Sequence, residues 1–144
     1  MARIEIDIPE KIIYSAELAV RVSDLNYGGH VGNDAILRLV QEARVLFYRS
    51  IGIADELSLE GKVGQIITDA VVLYKSESFL GDVLVINVAV AGFNKYGFEM
   101  YYQVINKENQ KEVARARTGI LCFDYDRRKV VSIPQTFLEK LNGK

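Results

Sequence analysis

The amino-acid sequence predicts an α+β fold in which one long helix is wrapped by a curved antiparallel sheet. Three observations carry this. One run with helical periodicity spans about residues 33–52, the apolar period changes to two from Gly64 onward, and the links between the later strands are too short for parallel crossovers. At 144 residues the chain reads as a single domain, 1–144, able to bury a core without disulfides or metal.

In chain order, residues 3–8 alternate apolar and polar before Pro9 and read as a short edge strand or an arm. Residues 13–22 alternate with β-branched side chains, which predicts a strand. A polar turn follows over residues 24–32. The helix then starts near Asn33, with Asn33 or Asp34 as its cap. Ile36, Leu39, Val40, Ala43, Leu46, Phe47 and Ser50 keep helical spacing, while Leu37, Val45 and Tyr48 add apolar surface on other sides. A helix apolar on several sides is expected to be largely enclosed. Gly52 is placed to stop it, and residues 54–60 suggest a short second helix ended by Gly61.

Residues 65–75, 83–93, 98–106 and 112–124 then read as four strands. Turns at Gly81-Asp82, 94–97 and 107–111 join them, and antiparallel neighbours are expected. Residues 126–129 form a basic turn, and Pro134 opens a last short helix over 135–141. The long strands have edges that suit pairing with a second copy, so a homo-oligomer, dimer or tetramer, is expected.

Composition excludes several classes. The hydrophobic fraction of 49% and charged fraction of 26% are those of an ordinary globule, and a net charge of −1 gives no footprint for nucleic acid. No stretch approaches the ~20 apolar residues of a membrane span, and the first residues lack the apolar core of a signal peptide. One cysteine, Cys122, allows no internal disulfide and fits a reducing compartment, so a cytoplasmic protein is expected. One histidine and one cysteine, far apart, make no metal pattern. Neither a G-x-S-x-G elbow nor a P-loop is present, and no cofactor is expected.

Chemistry concentrates in the turn before the helix. Asp24, Asn26, His30, Asn33 and Asp34 fall within eleven residues, interleaved with Gly28, Gly29 and Gly32. The helix start offers unpaired N–H groups, and the glycines permit positive φ and a close backbone approach. His30, the only histidine, suits general-base work.

The run from Val20 to Asn33, V-R-V-S-D-L-N-Y-G-G-H-V-G-N, resembles the opening motif of hotdog-fold acyl thioesterases of the 4-hydroxybenzoyl-CoA thioesterase type. It also resembles the S-D-L-D-x-x-x-H-V-N-N version of acyl-ACP thioesterases. Glu42-Ala43-Arg44, followed by Phe47 and Gly52, is similar to the family's helix pattern, and Gly81-Asp82, the Gly97 hairpin and residues 113–118 fall where the family has its sheet. The resemblance implies a hotdog fold and a thioesterase acting on an acyl-CoA or acyl carrier protein. It implies that a backbone N–H on or next to Asn33 polarises the thioester carbonyl. It places the catalytic carboxylate at residue 26, where this chain has Asn26, which takes up no proton at neutral pH. The base is then sought first in His30, next in Asp24, which could instead orient it, and third in Glu42, three helical turns beyond. Gly28, Gly29 and Glu42 are candidate substrate-binding residues. Lys75, Lys95, Arg127, Arg128 and Lys129 are candidates to meet CoA phosphates, and Phe79, Phe93, Phe98 and Tyr101 to line an acyl pocket. Asn26 also motivates a second reading, a hotdog protein that binds an acyl thioester without hydrolysing it. A dehydratase is the third.

Overall fold

A computed structural model describes residues 3–143; positions 1, 2 and 144, at the ends of the single-domain span, lie outside the described residues. Among the described residues six strands are present: β1 (Tyr14–Ala19), β2 (Val63–Tyr74), β3 (Val83–Ala91), β4 (Gly97–Asn106), β5 (Glu112–Asp124) and β6 (Lys129–Val130). They form one antiparallel sheet in the order β1-β3-β4-β5-β2, with β6 added to β5. Helix α1 (Asn33–Ser50) lies in the hollow of this sheet, and α2 (Gln135–Asn142) closes one end.

Alternation along the strands decides which face meets the helix. In β4, Phe98, Met100, Tyr102 and Val104 are buried, while Glu99, Tyr101 and Gln103 between them are half-buried on the outer face. On α1, Ile36, Leu39, Val40, Ala43 and Phe47 are at most 2% exposed. Burying the four large side chains among these stabilises the fold by on the order of 6–12 kcal/mol relative to leaving them in water. Phe137 of α2 packs on Tyr48 and Phe98, with ring centroids 5.7 and 6.0 Å apart.

The helix stops as expected at Gly52. Its φ of +87° reverses the chain, the Gly52 N–H bonds the Arg49 carbonyl, and the Ile53 N–H bonds the Tyr48 carbonyl. Three expectations are corrected, and the choice between edge strand and arm at residues 3–8 falls to the arm. The helix is enclosed on one face only: Leu37 is 42% exposed, and Val45 and Leu46 are half-buried. Residues 54–60 form turns rather than a second helix. The carbonyl of Glu56 accepts the Gln65 N–H, and glycine at 64 lets residues 56 and 57 lie directly on β2, where an added Cβ would come within 2.6 Å of them. The first strand ends at Ala19, and Val22–Asp24 is a 3-10 turn. Residues 3–8 are an irregular arm, anchored by buried Ile6, whose carbonyl accepts a 2.7 Å bond from Arg115.

A buried polar network pins the 54–60 segment to the core. Arg44, 4% exposed, donates to Glu56 at 2.7 Å and to the Tyr102 hydroxyl at 3.0 Å, and that hydroxyl also meets Thr118. Tyr48 donates to the Gln65 side chain. Burial and the Tyr102 hydroxyl raise the Tyr48 phenol well above its ordinary range, so it stays a donor. Removing Glu56 alone strands the buried guanidinium. Glu56→Ala is expected to lower stability by about 3 kcal/mol in urea unfolding, and adding Arg44→Met to recover most of that loss.

Candidate active site

The turn is assembled from the end of β1 inward. Asp24 is 2% exposed, and its carboxylate accepts the Arg21 N–H at 2.9 Å and lies 3.9 Å from the Arg38 guanidinium. It therefore braces the turn from beneath. Residues 26–30 close on themselves: the Asn26 N–H bonds the His30 carbonyl at 2.8 Å, and the Gly29 N–H bonds the Asn26 carbonyl at 3.1 Å. Gly29, at φ +83°, takes the left-handed conformation this closure needs. The Asn26 side-chain oxygen accepts the Gly28 N–H at 2.9 Å. That fixes the amide, so its NH2 group faces Nδ1 of His30 across 3.5 Å. The His30 ring lies over Gly28, where an added Cβ would stand 3.3 Å from Nε2, and meets Phe79 edge-on.

The turn is then tied to the loop that follows β2. The Val31 N–H bonds the Ser78 carbonyl, and the Gly32 N–H bonds the Asp24 carbonyl. Gly32, not Asn33 or Asp34, occupies the cap position of α1, and no side chain bonds the first turn there. The N–H groups of Asn33 and Asp34 consequently have no acceptor among the described residues. The hydroxyl of Tyr74 donates to the Asn33 carbonyl at 3.0 Å, holding the strand end against the helix start.

A pocket of about 380 Å³ opens at this point, lined by Asn26, His30, Val31, Asn33, Tyr74, Lys75, Ser76 and Glu77. Among the residues singled out from sequence, Asn26, His30 and Asn33 meet on its wall; Gly28 and Gly29 form the backbone of the turn. Asp24 lies under the turn instead of in the pocket. Glu42 lines a separate cleft of about 210 Å³ with Glu17, Leu18, Ala19, Arg21 and Leu39. Lys75 lines the pocket, whereas Lys95 and residues 127–129 sit at the far end of the sheet, with Arg128 over the Phe123 ring. Phe79 stands at the site, Phe93 and Phe98 stack at 5.3 Å at the far end, and Tyr101 bonds Glu99 on the outer face. Tyr74, Ser76 and Glu77 were not singled out from sequence. Their only signal there is a polar run directly after a long strand. Among the described residues no group of three or more His, Cys, Asp and Glu is placed to hold a metal ion, and no helix is long and apolar enough to cross a membrane.

A family model described as the thioesterase-like superfamily matches residues 20–141. The chain belongs to the thioesterase-like superfamily. Solved structures of similar fold include a 1,4-dihydroxy-2-naphthoyl-CoA thioesterase from Synechocystis, with a TM-score of 0.82 and 21% identity over 90% of this chain and 95% of that one. A hypothetical protein from Aquifex aeolicus matches with a TM-score of 0.81 and 25% identity, covering 89% of this chain and 98% of that one. YbaW of Escherichia coli, named a probable thioesterase, matches with a TM-score of 0.74 and 20% identity, covering 88% and 95%. No curated protein matches the sequence. These likenesses bear out the hotdog fold, with a curved antiparallel sheet around one long helix.

The fixed Asn26 amide has a consequence for this superfamily member's single imidazole. An NH2 donor facing Nδ1 makes that nitrogen the acceptor and puts the ring proton on Nε2. A long-range 1H–15N spectrum of the native protein, in which only one histidine can appear, is expected to give the Nε2–H tautomer at neutral pH.

Proposed function

We propose that this protein hydrolyses the thioester of an acyl-CoA or an acyl carrier protein at the pocket before α1. The observation that carries the reading is the unbonded N–H of Asn33, a residue of the pocket wall, at the uncapped start of α1. In this reading the thioester carbonyl points at the Asn33 N–H, which stabilises the oxyanion as it forms; one such donor is worth about 10²–10³ in rate. The helix dipole adds to the same end. The Asn26 amide and the Nε2–H of His30 hold the attacking water. Asp24 keeps the turn in place, and Gly28 and Gly29 let substrate approach the backbone. Lys75 is placed for a phosphate of the carrier group.

Superfamily membership and the names of the similar structures support thioester chemistry, and the choice of acyl carrier is this reading's own. Self-association belongs to it as well. Strand β2 is a free edge whose residues 67–70 are exposed, and the outward side of α1 carries Leu37 and Val45. A homodimer or homotetramer covers these surfaces, and glutamate 42 on the outward side of α1 then lies within reach of a partner. A cytoplasmic, reduced setting suits the single buried Cys122.

The second reading is a protein that binds acyl thioesters without hydrolysing them, and Asn26 at the carboxylate position of the related thioesterases favours it. A panel of acyl-CoAs assayed with a thiol-detecting reagent separates the two. Burial pushes the Cys122 thiol up to about 11, so the native protein contributes no background. Turnover on at least one acyl chain is expected. Calorimetric binding with no thiol released on any of them instead supports the binding protein.

A further inference from the structure

The hydrolytic reading needs a base, and none of the groups in the turn supplies one. Asn26 has no basic atom. The Asp24 carboxylate is buried under the turn and bonded to the Arg21 N–H. His30 directs its lone pair on Nδ1 at the Asn26 amide and leaves an N–H at Nε2.

The pocket wall carries one carboxylate, Glu77. Its backbone is held from both sides. The Ser76 hydroxyl donates to the Glu112 carbonyl at 2.8 Å, and the Ser76 N–H bonds the Val113 carbonyl. On the other side the Ser78 carbonyl accepts the Val31 N–H at 2.8 Å, and the Ser78 hydroxyl donates to Asp82. The Val31 bond ties the loop directly to the turn that carries His30. Between these anchors the Glu77 side chain is exposed and makes no hydrogen bond or ion pair with the described residues. It also lines the adjoining cleft of about 430 Å³, where Asp82 and Glu108 are the other carboxylates and Lys111 the cation. Neither Asp82 nor Glu108 lines the pocket at Asn33, and Asp82 is engaged by Ser78 and by the Phe79 N–H.

We propose that Glu77 is the general base of this site, standing in for the carboxylate that residue 26 lacks; the assignment rests on the thioesterase reading above. The Glu77 carboxylate takes a proton from the water held by Asn26 and His30. The hydroxide oxygen bonds to the thioester carbon, and the carbonyl electron pair moves onto oxygen facing the Asn33 N–H. As that pair returns, the C–S bond breaks. The leaving sulfur takes the proton back from Glu77, giving a carboxylic acid and a free thiol and restoring the carboxylate. Lys75, next but one along the chain, is the cation that shares the pocket wall with Glu77.

The test compares the whole protein with Glu77→Gln and Glu77→Ala on the acyl-CoA that the wild type turns over best, with melting curves to verify folding. Because the side chain is exposed, both variants are expected to melt as the wild type does. Loss of a general base is expected to lower kcat about 10²–10³-fold with KM unchanged. Added formate is expected to restore part of the rate in Glu77→Ala, where it fits the vacated space, and not in Glu77→Gln. A wild-type rate in Glu77→Gln, or a loss in Glu77→Ala that formate leaves unrepaired, overturns the assignment while the thioesterase reading stands. No turnover by the wild type on any acyl thioester overturns both.

Discussion

Burial of one face of α1 in the hollow of the sheet is the constraint from which the remaining geometry follows. The side chains from Ile36 to Phe47 fix the helix axis against the sheet, which it approaches most closely at β1, β3 and β2, and ring packing among Tyr48, Phe98 and Phe137 fixes its far end. A helix so held cannot slide, so the position of its first turn is set relative to the strand ends. Tyr74 at the end of β2 and Ser78 beyond it then bond to the helix start and to the turn before it. The pocket is the gap between the turn before α1 and the strand end and loop of β2, which these bonds hold together.

The helix start itself shows a trade between stability and access. An asparagine, aspartate or serine cap would satisfy one of the free N–H groups and stabilise the helix by about 1 kcal/mol. Gly32 supplies none, and a Cβ there would come within 2.7 Å of the Asp34 side chain. Asp34 in the first turn and its contact with Arg38 offset part of the loss electrostatically. The donors at Asn33 and Asp34 are left unbonded, with Asn33 on the pocket wall. Placing two polar residues at the first two helical positions, with glycine as the cap, keeps the helix start both polar and open.

Much of this was legible in the sequence. The change of period at Gly64, the run from Ile36 to Phe47 and the reversal at Gly52 are local signals, and each corresponds to an observed element. The segment 54–60 misled because helix propensity competes there with tertiary bonds. A seven-residue helix gains too little to outweigh its nucleation cost, while Glu56 gains both a strand hydrogen bond and Arg44. The enclosure of α1 was over-read because apolar residues on its outward side, such as Leu37, look the same in sequence whether this sheet or another chain covers them. Asn26, His30 and Asn33 were found because they lie close in sequence. Glu77 lies far along the chain, and tertiary contacts, the Val31–Ser78 bond and the His30–Phe79 ring contact, bring its loop to the turn.

The central claim is that an unbonded backbone donor at the first helical position does the polarising. It is open to a direct test because proline is well tolerated there and removes only the N–H. Gly32 before it is already extended, at φ −71° and ψ 155°, as a residue preceding proline prefers. The decisive measurement is the single-turnover rate of Asn33→Pro against Asn33→Ala, which keeps the donor, at matched melting temperature. The account predicts that Asn33→Pro is about 10²–10³-fold slower than Asn33→Ala. Equal rates in the two variants would contradict it.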